Sequence, residues 1–362
     1  MRIVWAASYG GRHRGSFVPA VESVARRVLA RGDFFALVVP DVGDAAWHDE
    51  IRALGVDLHV VPDRPVVAAR RVAALRADLV HAHFLDWLAA VTVATWPSRA
   101  RLLWHLHSTF EKTGRPARRS SWRSVKYGGL TSRAETVVCV SAAIAADART
   151  LGVAARKLAV VPNAVDTSRF RPPDPGERAA ARARLGLGEA AAIAFFGRDP
   201  HIKGADLLAA ALARMDAPTV VAVATPDGTV ADLARHARVV SVPFTDDVRE
   251  VLWAVDAIAL PSRGEGMPFV ALEALACGVP VVASELPWAA ELAARNRGVR
   301  LARADDPAAF ATALQSAIDG PRAEPPAGGN VDAWAERILE LYAAAPGTAH
   351  ESVTDAVQPG TR

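Results

Sequence analysis

Long apolar runs are missing from this sequence. Although 51% of its 362 residues are hydrophobic, no segment reaches the roughly 18 consecutive apolar residues of a membrane span. The start MRIVWAASYGG carries one charge and then turns glycine-rich, unlike a signal peptide. Cysteine is almost absent too: Cys139 and Cys277 form no C-x-x-C pair and lie inside apolar runs, where free thiols pack as small hydrophobes. These absences predict a cytoplasmic protein, at most peripheral at the inner face of a membrane. Lysine is scarce: four of the 42 basic residues. Arginines spread along the chain in this way read as codon bias rather than a phosphate-binding surface, so no nucleic-acid partner is expected.

What is present is a repeated alternation. The length exceeds what single cores usually fill, so two domains are the prior. The apolar runs RIVWAA, FFALVVP, VDLHVVP, ADLVHAH, RLLWHLH, TVVCVS and KLAVVPN are mostly separated by stretches of helical period, which predicts a parallel sheet covered by helices on both faces. One such helix is expected from about Phe17 to Arg31, with Phe17, Val21, Val24 and Val28 on one face, Ser16 as cap and Pro19 in the first turn. The polar, proline-rich DTSRFRPPDPGERAA reads as a linker. The rhythm restarts with AAIAFFG, TVVAVA, ARVVSV, DAIALP, VPVVAS and GVRLA, a second domain of the same α/β type. The expected boundaries are 1–170 for the amino-terminal domain, 171–190 for the linker and 191–330 for the second domain. A last helix at 331–346 packs back on the first domain, and the tail 347–362 is disordered.

In sheets of this kind ligands bind beyond the carboxyl ends of the strands. After DAIALP comes PSRGEGMPFVALEALACG, a turn with Gly264 and Gly266 and then a helix opening at Pro268, whose missing N–H costs nothing there. The free N–H groups of a helix start suit a phosphate. Glu273, inside the helix, is placed to accept hydrogen bonds from a ribose diol, and Glu265 faces the same space from the turn. After AAIAFFG, the segment GRDPHIKGADLLAAAL sets Arg198 and Lys203 across a tight loop as another helix begins. Two cations there can neutralise a diphosphate, each contact worth about 4 kcal/mol at 4 Å and an effective dielectric of 20, before desolvation. A solvated turn with exposed carboxylates and a loop lysine is the plain alternative.

Together these segments resemble the retaining GT-B glycosyltransferases of the fourth family, the group 1 type. Their hallmark is Glu, seven residues, Glu, met here by Glu265 and Glu273, with PS..EG and EALACGVPVVAS around it and GRDPHIKG matching the Gly-Arg, four residues, Lys-Gly pattern. The resemblance covers about residues 1–320 and is tightest between Phe195 and Ser284. It implies a GT-B fold, α/β, with two doubly wound Rossmann-like domains facing each other across a cleft. It also implies a nucleoside diphosphate sugar as donor, moved to an acceptor hydroxyl with retention, a hexosyl or N-acetylhexosaminyl transfer. On that basis Arg198 and Lys203 bind the diphosphate, Glu273 holds the ribose, and Glu265 with the backbone of Gly266, Met267, Pro268 and Phe269 contacts the transferred sugar. No metal or other cofactor is then expected, in keeping with the lack of any Asp-x-Asp motif.

The resemblance also places His107, in RLLWHLHSTF, near the anomeric centre, and brings His83, in DLVHAH, toward the same cleft. HAH and HLH each put two histidines on one side of a strand. A zinc site is set aside for want of a third ligand cluster, leaving His81 and His105 as buried, hydrogen-bonded histidines. The family has a glycine pair before its first helix; here Gly15 with Ser16 and Gly10 with Gly11 both compete for that place. Arg12, His13 and Arg14 of this GGRHRGS loop meet either an anionic acceptor, lipid-linked or glycan, or only water. Other departures from the family are AVATPDGTV, which lacks the Gly-x-Gly loop, SVPF near the base, and ELPWAAE after VVAS. Between Lys112 and Tyr127 six basic residues interleave with Trp122 and Tyr127, either a solvated helix or a contact for anionic membrane or phosphorylated acceptor. Competing readings of the whole are a GT-B-fold epimerase or phosphorylase, a non-catalytic sugar-nucleotide-binding subunit and, more remotely, a histidine-liganded metal hydrolase.

Overall fold

The computed structural model describes residues 1–108, 128–216, 218–326 and 330–344. The basic segment 112–127 and the tail 347–362 lie outside them. Every one of the thirteen apolar runs is a strand. The first seven are β1 (Arg2–Ala7), β2 (Phe34–Pro40), β3 (Asp57–Val61), β4 (Leu79–His83), β5 (Arg101–Leu106), β6 (Thr136–Cys139) and β7 (Leu158–Val160). The other six are β8 (Ala192–Phe196), β9 (Thr219–Val223), β10 (Arg238–Val242), β11 (Ala257–Leu260), β12 (Val281–Ser284) and β13 (Val299–Ala302). They form two sheets, in the orders 3-2-1-4-5-6-7 and 10-9-8-11-12-13, and every pairing is parallel. Strands such as FFALVVP and AIAFF are apolar on both faces because helices cover both. In each sheet the winding reverses beside the first strand, between β1 and β4 and between β8 and β11, the place where such sheets open a crevice.

The chain divides into two compact units, residues 1–164 with 330–362, and residues 165–329. In the first, helix α1 (Phe17–Ala30) buries Phe17, Val21, Val24 and Val28 on the face the sequence assigns. Ser16 stands at its N-cap position but its side chain makes no capping bond. The helix Leu85–Thr95 lies on the opposite face, where Trp104 Nε1 donates to Thr92 Oγ1 at 3.0 Å. The carboxy-terminal helix (Val331–Ala343) packs beside α1 over Trp5. It is fastened by polar contacts: Ser23 Oγ donates to Asp332 Oδ1 at 2.7 Å, Trp5 Nε1 donates to Tyr342 Oη at 2.8 Å, and Arg101 donates to the carbonyls of Tyr342 and Ala344.

The segment expected to be a linker is a structural part of the second unit. Pro175–Arg184 is a helix with a complete capping box, in which Asp174 accepts from the Glu177 N–H and the Glu177 carboxylate accepts from the Asp174 N–H. It packs against Arg249–Ala254, and Arg178 pairs with Asp256 at 2.6 Å. Its polar composition concealed this because only Ala181 is fully buried; long arginines, not apolar side chains, make the attachment. The unit boundary therefore falls at Ala164/Val165 rather than at 170 or 190.

Candidate active site

In the 165–329 unit the loops after β8 and β11, the two strands at the reversal, hold both charged motifs. Gly197 begins the first loop because a side chain there would strike Phe195 and Thr225. A tight turn follows, with the Lys203 N–H donating to the Asp199 carbonyl at 2.8 Å. Gly204 ends it at φ +69°, and a Cβ on it would sit 2.0 Å from the Pro261 carbonyl oxygen. Only glycine allows both that φ and that approach. The two loops are thereby pressed together. The Arg263 N–H donates to the Ile202 carbonyl at 2.8 Å, and the Arg263 guanidinium grips Asp206 through two bonds of 2.8 and 2.7 Å, which holds the Asp206 carboxyl below its ordinary range.

This junction puts Lys203 against Glu265. The Lys203 ammonium donates to Glu265 Oε1, and Ser262 Oγ donates to the same oxygen at 3.2 Å. The side chains keep 26% and 15% exposure, so the pair is reachable from solvent. Arg198, exposed in the turn, has no ion-pair partner among the described residues. Pro268 is the N-cap of the helix Phe269–Ala276 rather than its first residue. A proline there leaves the following N–H groups of the first turn as donors. Gly266 and Met267 are buried before it, and Glu273 is buried inside it at 7% exposure. The β8–β11 junction thus carries two cations, a carboxylate and a helix start, a set suited to a polyphosphate beside hydroxyl groups.

The 1–164 unit has its own reversal, between β1 and β4, and a different content. The loop after β1 folds around Tyr9, whose hydroxyl donates toward the carbonyls of His13 and Arg14, both at 3.2 Å. A Cβ on Gly11 would lie 2.5 Å from the Tyr9 ring and one on Gly15, at φ +49°, 2.4 Å from its hydroxyl. Gly10 has open space. Gly15, at positive φ, is the glycine the backbone favours, while Gly11 makes room for the end of the Tyr9 side chain, and nothing in the sequence marked Tyr9 as the reason. Arg14 is tied to Glu22 at 2.8 Å and to Glu50, and Arg12 Nε donates to the Asp44 carbonyl at 3.0 Å. Both cations tie this loop to neighbouring elements, Arg14 to α1 and the helix Trp47–Ala53 and Arg12 to the segment after β2.

After β4, Phe84 takes φ +64° and ψ 161°, a region L residues rarely occupy, and such strain gathers at functional sites. Its ring stacks on His107 at 4.3 Å. His83 Nδ1 and His107 Nε2 are 3.2 Å apart. Burial pushes the His107 imidazolium down to about 3, so at neutral pH the ring is uncharged. His83 and His107 lie together, but so do His81 and His105. In register, His83 faces His105 across β4 and β5, with His81 two residues before on the same face. Neither His81 nor His105 is the fully hydrogen-bonded core histidine expected: His81 Nε2 and both nitrogens of His105 are buried without a partner.

Both units match known protein families. A model described as "Glycosyl transferases group 1" matches residues 190–319, and one described as "Glycosyltransferase Family 4" matches residues 20–169. The D-inositol 3-phosphate glycosyltransferase of Geodermatophilus obscurus is 32% identical over 281 residues, covering 67% of this chain and 59% of that protein. The protein of the same name from Mycolicibacterium gilvum is 34% identical over 216 residues, 55% of this chain and 42% of its own. The chain spans about half the length of the curated relatives it matches. Among solved structures, Anabaena HepE in complex with UDP and glucose superposes with a TM-score of 0.77 at 20% identity, over 95% of this chain and 100% of that one. Sucrose-phosphate synthase from Thermosynechococcus elongatus gives 0.69 at 17% identity, over 95% and 98%. These structures share the GT-B fold with this chain.

Proposed function

The chain belongs to the group 1, family 4 glycosyltransferases, and from that premise we propose that it moves a sugar from a nucleoside diphosphate to an acceptor hydroxyl with retention at the anomeric carbon. The observation that carries the proposal is the Lys203–Glu265 pair, held at the β8–β11 junction by the Gly204–Pro261 contact and followed by the helix start at Pro268. A diphosphate, with more negative charge than one carboxylate, takes Lys203 from Glu265. Glu265 is then left to accept hydrogen bonds from donor-sugar hydroxyls. Arg198 and the first-turn N–H groups complete the anion cradle, and Glu273 accepts from the ribose. As the bond to the anomeric carbon breaks, the charge growing on the leaving oxygen meets donors already in place, and such preorganised stabilisation is usually the main source of rate acceleration in sites of this kind. The same groups make a metal at the diphosphate unnecessary.

The transferred group is a hexose or N-acetylhexosamine; Gly15 and His107 serve the donor side and Gly11 with Arg12, His13 and Arg14 the acceptor side, with His83 buried behind His107. Two curated relatives are named for inositol 3-phosphate, which makes a phosphorylated polyol the first acceptor to try. The test is product analysis with UDP-, GDP-, ADP- and TDP-sugars, each with and without inositol 3-phosphate, with the product anomer read by NMR. A new glycoside with the donor's anomeric configuration is expected. Isomerised donor without any acceptor would instead support the epimerase reading, and binding without turnover a non-catalytic subunit.

A further inference from the structure

We propose that His81, His83 and His105 form a buried three-histidine site for a divalent transition metal of borderline softness, Zn²⁺ or Co²⁺, beneath the carboxy-terminal helix. One ligand nitrogen from each lies within 4.8 Å of the others. Two of the rings already carry the outer contacts that ligating histidines need. His81 Nδ1 meets the Tyr342 hydroxyl at 2.7 Å and His83 Nδ1 meets His107 Nε2 at 3.2 Å, while Nε2 of each is buried and unpartnered. A ligating imidazole characteristically has its other nitrogen engaged in this way. His105 is the third ligand, with both nitrogens buried and unpartnered.

A neutral imidazole has one N–H donor and one lone pair. Buried groups of this kind are nearly always satisfied, yet this cluster leaves at least one nitrogen of each of the three rings without a partner. A metal accepts three lone pairs at once and lets the remaining N–H groups of His81 and His83 point at Tyr342 and His107. Tetrahedral zinc at about 2.1 Å from each nitrogen sets the nitrogens about 3.4 Å apart. Ring rotation therefore has to bring the ligating nitrogens closer together than the 4.8 Å that now spans the cluster. Burial keeps the rings uncharged at neutral pH, so protons do not compete for the lone pairs. Trp5, Trp334 and Tyr342 enclose the cluster, so the ion would be taken up as the chain folds and would tie β4 and β5 beneath the last helix.

The experiment is to express the full chain without an affinity tag in Co²⁺-supplemented medium, then measure metal per chain and visible absorption. The expected result is close to one Co²⁺ per chain with the intense d–d bands of a tetrahedral site of three nitrogens and one exogenous ligand such as water or hydroxide. His105→Phe, folded by circular dichroism, should fall below about a tenth of that, and Tyr342→Phe, which keeps all three ligands, should retain the bands with roughly ten- to a hundredfold weaker affinity. If His105→Phe does not fold, His105→Asn is measured in its place. A wild-type chain with less than about a tenth of an equivalent, or a folded His105 variant as loaded as wild type, would overturn the proposal. Neither readout depends on sugar transfer.

Discussion

The two sheets share a winding and a reversal point, but they differ in where their polar groups stand. In the 165–329 unit the charged side chains are on loops beyond β8 and β11, with Lys203 and Glu265 partly exposed and Arg198 exposed. In the other unit the corresponding loops are filled with Tyr9, Gly11, Gly15 and Phe84, and its imidazoles stand inside, on the face of β4 and β5. The first arrangement can change partners at little cost, since water reaches it. The second cannot: each buried ring is held neutral, and any change of its protonation or ligation is a change in folding stability.

The contrast breaks first at acid pH. Unfolded histidine takes up a proton below about 6.5, whereas burial holds His81 and His107 down to about 3 and His83 and His105 well below their ordinary value. The stability they contribute is complete above about pH 6.5 and is lost as pH falls through the unfolded-state value. Together the four rings should make the chain less stable at pH 5.5 than at pH 8 by on the order of several kcal/mol. Denaturant midpoints at pH 8 and 5.5 measure this, and equal midpoints would contradict it. The next largest effect belongs to the other unit. Gly204→Ala should destabilise by on the order of 2–4 kcal/mol, because it combines a positive φ with a backbone collision at Pro261. A melting temperature within a degree of wild type would show that the loops are not pressed together as described. Arg14→Ala should cost about 1 kcal/mol or less by chemical denaturation, since its carboxylate partners are partly solvated. The smallest effect sharpens the contrast from the opposite side: Gly228→Ala, a helical glycine with open space around it, should stabilise by about 0.5 kcal/mol.

The fold was legible because apolar runs bounded by glycine and proline leave little choice: all thirteen became strands, and α1 buries the face its period assigns. The helix Pro175–Arg184 was not, since its attachment is made by arginines to backbone carbonyls and to Asp256, and such contacts leave no period in the sequence. At the candidate site, the charged residues were legible from spacing, but their coupling was not. Gly204 looked like part of a motif, and only the Pro261 carbonyl shows what it does. In DLVHAH and RLLWHLH the alternation put each histidine pair on one side of a strand. That β4 and β5 are neighbours in a register bringing His83 opposite His105 is a fact of pairing, which lies between strands rather than within either.

The central claim is that the β8–β11 junction is a diphosphate site in which Lys203 serves the leaving group. The most direct measurement is turnover of the donor that the product screen identifies, compared between wild type and Lys203→Ala, with folding checked by thermal melt. The account predicts a fall in kcat on the order of a hundredfold, about 2.7 kcal/mol, like the removal of one preorganised donor from a developing oxyanion. A folded Lys203→Ala variant with unchanged kcat would contradict it.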